Sequence, residues 1–159
     1  DDREDFLMNP DHFLKHVIRP TISSMDMHSQ AAERLLLCTA IVESNLEWLK
    51  QHGGGPALGV YQMEPATVRD IYHRYLSSRE LLKGKIEPFI TLQTIDEQLV
   101  TNLAFATGMA RMRYWMVPDA LPAANDGPGL ADYWKQHYNT AGGKGNPAKF
   151  AAAFKVQFG

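Results

Sequence analysis

Residues 35–42 are apolar at nearly every position, with Thr39 as the interruption and Glu43 as the end of the run. Ser29 precedes the run at a distance that suits a helix N-cap, and Glu33 falls in the first turn of that helix. A surface helix keeps one polar face toward water, whereas this helix would be apolar on all sides. The sequence therefore predicts a central helix that the rest of the chain buries.

The other start and stop signals are also helical. Helix starts are predicted at Asn9-Pro10, at Pro65, at Thr94 with its capping-box partner Glu97, and at Asn146-Pro147. We expect Pro20 to stop the first helix after Ile18. We expect Pro118 to end the helix that begins at Thr94, which would be the longest of the chain. A further helix is expected over residues 130–139.

No stretch alternates convincingly between apolar and polar residues, so any sheet is very small. Residues 51–59 are too rich in glycine and proline to form a regular element. A length of 159 residues suits one domain, and neither a repeat nor a long linker divides the chain. The predicted fold class is mainly α, a single helical domain with at most a very small sheet.

The composition and charge of the chain limit the kinds of molecule that it is expected to bind. The hydrophobic and charged fractions, 45% and 21%, are ordinary for a globular protein. No apolar run approaches the roughly 20 residues of a membrane helix, so no membrane span is expected. A net charge of -2 gives no electrostatic reason to expect nucleic acid as a partner. Residues 108–159 carry six basic and three acidic side chains, which suits either an anionic polymer or an ordinary solvated surface.

The single cysteine, Cys38, excludes an intramolecular disulfide, and its place in the apolar run indicates an inert core residue. His12 and His16 lie one helical turn apart, but no third ligand accompanies them, so no metal site is predicted. The chain begins at Asp1, and no signal peptide precedes the first predicted helix. The sequence leaves the localisation unknown.

Glu43 is the residue whose position most clearly indicates a catalytic role. Burial at the end of an apolar helix withdraws water from the ionised carboxylate, and the negative end of the helix dipole lies nearby. Both effects should raise the pKa of Glu43, which is the property that a general acid needs near neutral pH. The alternative is that Glu43 is simply the first solvated residue after a buried helix.

Three further segments follow Glu43-Ser44 in a set order. Residues 57–65 read Ala-Leu-Gly-Val-Tyr-Gln-Met-Glu-Pro after a glycine-rich loop, Asn102 follows within a predicted helix, and residues 138–140 read Tyr-Asn-Thr. This ordered set, which covers about residues 31–145, resembles the soluble lytic transglycosylase family of the lysozyme superfamily. That family's signature is Glu-Ser, then Gly-Ala-x-Gly-Leu-x-Gln-x-x-Pro, then an Asn, and then Ala-Tyr-Asn-x-Gly.

The resemblance implies a lysozyme-like α fold with a substrate cleft, in one domain over residues 1–159. Residues 1–28 would be an N-terminal helical extension, and residues 77–98 would be an insertion. The chain departs from the family pattern at Pro56, which replaces the first glycine of the turn, and at Gly142, which arrives late. These departures affect loop geometry and substrate preference more than the acid itself.

The implied activity is cleavage of the MurNAc-GlcNAc β-1,4 bond of peptidoglycan, with Glu43 as the single catalytic acid and 1,6-anhydromuramyl ends as products. Ser44 and Gln62 would bond the sugar or the cleft wall, and Gly59 would let the backbone approach the ligand. Tyr138 would hold its hydroxyl near Glu43. The expected substrate-binding residues are Ser44, Trp48, Gly59, Tyr61, Gln62, Asn102, Tyr138 and Asn139.

Each of these roles also has a purely structural alternative. Gln62 could cap a helix, and Tyr138 could be an aromatic residue of the core. Trp48 is the candidate for stacking on a sugar, whereas Arg111, Arg113 and Trp115 are expected on a helix flank.

A hydrolase usually needs a second carboxylate, and Glu64 at the helix start is expected to cap the helix instead. No cofactor is predicted. The alternative functions are a hydrolytic muramidase and a catalytically silent, lysozyme-like module, either glycan-binding or structural, of a phage tail or secretion apparatus. In each case the partner is peptidoglycan, and the protein would act at the cell wall, in the periplasm, outside the cell or on a virion. A larger phage or cell-envelope assembly is a further expected partner.

Overall fold

The computed structural model describes residues 8–139 and 145–159. The helices in these ranges are α1 (Pro10–Phe13), α2 (Arg19–Ser24), α3 (Gln30–Ser44), α4 (Pro65–Asp70), α5 (Glu80–Ile86), α6 (Ile95–Thr101), α7 (Leu103–Trp115), α8 (Gly127–Trp134) and α9 (Pro147–Phe158). Wider π-helical segments continue three of them, at Leu14–Ile18, Ile71–Tyr75 and Lys135–Asn139, and short 3-10 segments lie at His52–Gly54, Leu76–Ser78 and Glu87–Phe89.

Helix α3 lies at the centre of the molecule and packs against α7, α8 and α9. Ser29 caps it as predicted, because the Ser29 hydroxyl accepts a hydrogen bond from the Ala32 amide at 3.0 Å. The apolar run from Leu35 to Ala40 is buried. The prediction of a central buried helix is therefore confirmed.

The prediction that Pro20 stops the first helix is wrong. α1, the π segment Leu14–Ile18 and α2 follow one another without a break, and Pro20 lies in the first turn of α2. In the π segment the Arg19 amide donates to the Leu14 carbonyl, five residues back. This wider turn accommodates a residue that has no amide hydrogen and whose ring would collide with the preceding turn of an α-helix.

The predicted long helix from Thr94 is two helices, because Asn102 interrupts it. Asn102 has an extended backbone, and its side-chain oxygen accepts from the Phe105 amide at 3.0 Å, so that it caps α7. The capping box of Thr94 and Glu97 is present as predicted. α7 ends at Trp115, shortly before Pro118.

The C-terminal helices form one wall of the molecule. α8 begins at Gly127, a few residues earlier than expected, with Asp126 as its N-cap, and α9 begins after Asn146 as predicted. The two helices pack together, and the Trp134 and Phe150 rings stack at 5.8 Å between centroids. This packing carries the end of α8 to the end of α3.

Extended structure is minimal, as predicted. Within the described ranges it consists of isolated antiparallel bridges from Leu58 to Lys50 and to Met63. The fold is mainly helical, and the described residues share one apolar core. In the part of the chain that the structure describes, every helix is too short or too polar to cross a membrane.

Candidate active site

Glu43 lies in the last turn of α3 and is partly buried. Its Oε2 atom accepts a hydrogen bond from the indole Nε1 of Trp134 at 3.2 Å. Burial raises the pKa of Glu43 to about 7, while the Trp134 hydrogen bond and the Arg113 charge oppose part of that rise. Glu43 can therefore hold a proton near neutral pH and also exist there as a carboxylate.

A cleft opens on both sides of Glu43 as two hollows that share Glu43, Gln51 and Asn139. The α9-side hollow, of about 540 Å³, is completed by Val42, Trp134, Gly145, Asn146 and Lys149. The α4-side hollow, of about 450 Å³, is completed by Ala57, Gln62, Glu64, Thr67, Arg113 and Tyr138. Each hollow falls within the size range of ligand-binding clefts.

The cleft continues beyond the α4-side hollow. A third hollow, of about 540 Å³, shares Gln51 and Glu64 with it and reaches Lys50 and Arg69. Glu43 therefore lies partway along an open groove rather than at the end of a closed pocket. Such a shape suits a chain-like ligand that passes the acid on both sides.

Three of the residues expected to bind substrate line the cleft beside Glu43. They are Gln62, which follows the glycine-rich loop, and Tyr138 and Asn139, which end the π segment after α8. These residues are far apart in the sequence, and the fold brings them to one place. Thr140 and Gly142, which complete the last motif, lie outside the described residues.

Tyr138 has a structural role in the cleft, through its ring packing and its hydrogen bonds. Its hydroxyl donates to the backbone carbonyl of Tyr61 at 2.7 Å, instead of engaging Glu43 as the sequence suggested. The Arg113 guanidinium lies over the Tyr138 ring at 4.3 Å and donates to the Tyr138 carbonyl at 2.7 Å. Tyr138 thus joins the two walls of the cleft, and the groups that act on the pKa of Glu43 are Trp134 and Arg113.

Ser44 and Tyr61 are buried, and their hydroxyl groups hydrogen-bond other protein groups beneath the surface of the cleft. The Ser44 hydroxyl donates to the backbone carbonyl of Val60 at 2.6 Å, so it bonds the cleft wall and not a ligand. The Tyr61 hydroxyl lies 3.0 Å from the hydroxyl of Thr107 in the core. A side-chain contact from Tyr61 to a bound sugar is therefore excluded by its burial.

Gly59 has a different reason for being glycine from the one expected. Its φ of 77° is in the left-handed region, and a Cβ atom would overlap the backbone carbonyl of Leu99. The close approach is thus to the backbone of α6, not to a ligand. Gly59 also lets the following turn present Gln62, whose side-chain amide donates to the Gly59 carbonyl at 2.9 Å.

Asn102 and Trp48 lie apart from Glu43. The Asn102 amide donates to the Phe89 carbonyl at 2.7 Å while its oxygen caps α7, so both ends of the side chain are engaged. Trp48 is 43% exposed and meets the His52 ring edge-on at 4.4 Å. Among the described residues, neither belongs to the set that lines the two hollows beside Glu43.

Sequence reasoning missed several residues of the cleft. Nothing in the sequence indicates that Trp134 contacts Glu43, because the two residues are remote in the chain and only the packing of α8 on α3 brings them together. Arg113 was expected on a helix flank, and it lies where the end of α7 meets the cleft. Gln51 and Lys149 follow no motif. Their positions depend on the loop before Gly59 and on the start of α9.

The expectation that Glu64 caps a helix is wrong. Glu64 occupies the N-cap position of α4, but its side chain makes no capping hydrogen bond. It is exposed and lines the same hollow as Glu43. A second carboxylate is therefore present in the cleft.

The residues present favour proton transfer to a polar ligand. One carboxyl has a raised pKa, and the surrounding wall offers amides, hydroxyls and cations that can hydrogen-bond a sugar. Cys38 is buried in the core, where burial raises the pKa of its thiol, so it is not a nucleophile candidate. Within residues 8–139 and 145–159, no three His, Cys, Asp or Glu side chains are grouped so that they could hold a metal ion.

Comparisons with protein-family models, with curated proteins and with solved structures gave no significant match to this chain. The geometry around Glu43, together with Gln62, Tyr138 and Asn139 in the lining of its cleft, marks this place as the candidate site.

Proposed function

We propose that this chain cleaves the glycan strands of bacterial peptidoglycan, as a lytic transglycosylase with a lysozyme-like fold and Glu43 as its catalytic acid. The observation that carries the proposal is the position of Glu43, a carboxyl with a pKa of about 7 partway along an open polar groove. Gln62, Tyr138 and Asn139, which carry the resemblance to that family, line the same groove and support the same conclusion.

The proposed reaction has two proton transfers through one residue. Protonated Glu43 donates to the oxygen of the MurNAc-GlcNAc β-1,4 bond as that bond breaks and the muramyl C1 gains positive charge. The Glu43 carboxylate then accepts the proton of the muramyl 6-hydroxyl, and O6 bonds to C1 to close a 1,6-anhydro ring. No water is consumed, and Glu43 ends protonated as it began. The tethered hydroxyl is favoured over water by its high effective concentration.

The surroundings of Glu43 suit this double role. A general acid that must also act as a base works best when its pKa lies near the working pH. Burial favours the protonated form, while Trp134 and Arg113 favour the carboxylate. Both forms of Glu43 are then accessible during one turnover. Trp134 and Arg113 act through Glu43, by favouring its carboxylate form, and are therefore positioning residues.

A hydrolytic muramidase is the second candidate, and Glu64 is the observation in its favour. Glu64 shares the α4-side hollow with Glu43 and caps no helix. In a hydrolase, a second carboxylate activates water or stabilises the positive charge on the sugar. The two candidates therefore share the acid and differ in the group that attacks the sugar.

Mass spectrometry of purified peptidoglycan digested by the protein distinguishes the two reactions. We expect fragments that end in 1,6-anhydromuramyl residues, and we expect Glu64→Gln to yield the same products. Fragments with reducing-end muramic acid, one water heavier, would identify a muramidase, and their loss in Glu64→Gln would assign Glu64 as the second carboxylate. Intact peptidoglycan after prolonged digestion would contradict both and indicate a glycan-binding module without activity.

A further inference from the structure

Lys149 places a cation in the α9-side hollow, on the opposite side of Glu43 from Arg113. It is exposed in the first turn of α9. Its ammonium group makes no ion pair with another residue of the ranges 8–139 and 145–159. The charge of Lys149 is therefore not neutralised by its described neighbours.

Helix stability does not account for a lysine at this position. The N-terminal turn of a helix carries a partial positive charge and favours acidic side chains, so a cation there is mildly unfavourable. The N-cap role is already taken by Asn146, whose side chain accepts from the Ala148 amide at 2.9 Å. A lysine thus occupies a place where the local backbone would favour another residue.

Among the described residues that line the α9-side hollow, Lys149 is the one cation. In residues 8–139 and 145–159, the other ionisable side chain of the lining is Glu43, whose pKa burial raises to about 7. The other polar side chains there include the amides of Gln51, Asn139 and Asn146, which suit hydroxyl and acetamido groups. An anionic group on a bound sugar would therefore meet an ammonium with no competing carboxylate of ordinary acidity.

We propose that Lys149 is a specificity-determining residue that binds a carboxylate carried by a muramyl sugar in the α9-side hollow. This inference rests on the proposed function and goes beyond it, since it predicts a selection for muramyl glycans over neutral chitin-like chains. The carboxylate has two possible sources, the 3-O-lactyl group of a peptide-free sugar and the stem peptide attached to that group. An ammonium ion binds either one as a point charge.

The test compares binding and cleavage of three substrates by wild type, Lys149→Gln and Lys155→Gln. The substrates are intact peptidoglycan strands, strands stripped of peptide so that the lactyl carboxylates are free, and stripped strands whose carboxylates are converted to methylamides. Lys155→Gln removes the same charge from the exposed surface of the same helix, outside the hollow. Binding is measured separately from cleavage, by the change in tryptophan fluorescence.

For wild type and Lys155→Gln we expect the carboxylate-bearing strands to bind ~2- to 5-fold more tightly than the methylamide strands at low salt, with a preference that falls as salt rises. Lys149→Gln should lose that preference through KM with little change in kcat. A preference for stripped over intact strands identifies the lactyl group, and the reverse identifies the peptide.

Two outcomes would overturn the inference. They are equal binding of charged and methylamide strands by wild type, and an unchanged preference in Lys149→Gln. Failure of the proposed function looks different. A wild-type protein that binds the strands with the Lys149-dependent preference but never cleaves them would contradict the enzyme and support the role of Lys149.

Discussion

The indole nitrogen of Trp134 donates a hydrogen bond to the Glu43 carboxylate at 3.2 Å, although 91 positions separate the two residues in the chain. This bond joins the end of α8 to the end of α3 and favours the ionised form of a carboxyl that burial keeps protonated. The pKa of about 7 thus results from burial, which raises it, and from the hydrogen bond of Trp134 and the charge of Arg113, which lower it. Removing any of these effects should change the pKa of Glu43.

Trp134→Phe should raise the pKa of Glu43, because the variant keeps an aromatic ring and removes the hydrogen bond to the carboxylate. A bond to a charged group is worth about 1.5–3 kcal/mol, so the alkaline limb of the pH dependence of kcat/KM should move up by roughly one to two pH units. Phe150→Leu is the matched control, since it disturbs the same ring stack and leaves the hydrogen bond intact. An alkaline limb that stays in place in Trp134→Phe would contradict the role of the Trp134 hydrogen bond in setting the pKa of Glu43.

Burial of Glu43 should cost stability at alkaline pH. Its pKa is about 7 in the folded protein against 4.5 in an ordinary setting, so the native state binds the proton more tightly than the unfolded state does. The free energy of unfolding should therefore fall as the pH rises from 4.5 through about 7. Glu43→Gln should be the more stable protein at pH ~8, by about 2 kcal/mol, less than the full shift gives because the carboxyl is only partly buried.

Urea unfolding of wild type, Glu43→Gln and Glu47→Gln at acid and alkaline pH measures this effect. Glu47→Gln removes a nearby carboxyl that lies outside both hollows, and it should keep the pH dependence of wild type. Parallel pH profiles for wild type and Glu43→Gln would contradict the buried, proton-holding carboxyl.

Gly59→Ala should be strongly destabilising. The substitution puts a Cβ atom into the Leu99 carbonyl at a φ of 77°, so backbone must move, and we expect a loss of more than about 2 kcal/mol. Gly53→Ala is the control, since Gly53 has a similar φ of 78° with open space around it and should lose about 1 kcal/mol. Equal losses in urea unfolding would mean that the approach to Leu99 is unimportant.

The parts of the fold that were predictable are those set by local chemistry. The N-caps at Ser29 and Asn146 and the capping box at Thr94 depend on residues within one turn, and each is present. The buried character of α3 follows from its own composition. The rise in the pKa of Glu43 follows from its position at the end of that helix, and its direction agrees with the expectation.

The errors arise where backbone geometry, a side-chain cap or the packing of remote segments decides the outcome. Pro20 is tolerated because a π turn precedes it, and Asn102 divides a helical pattern because its side chain caps α7 and holds the Phe89 carbonyl. Apolar periodicity shows neither feature. Trp134 and Lys149 enter the cleft only through the packing of the last helices, which no local pattern encodes.

The central claim, that Glu43 cleaves glycan, is tested most directly by the release of soluble fragments from purified peptidoglycan. Wild type and Glu47→Gln should release them at similar rates, whereas Glu43→Gln, which keeps its shape but has no carboxyl proton to donate, should be slower by at least ~10²-fold. A folded Glu43→Gln variant that releases fragments as fast as wild type, or a wild-type protein that releases none, would contradict the claim.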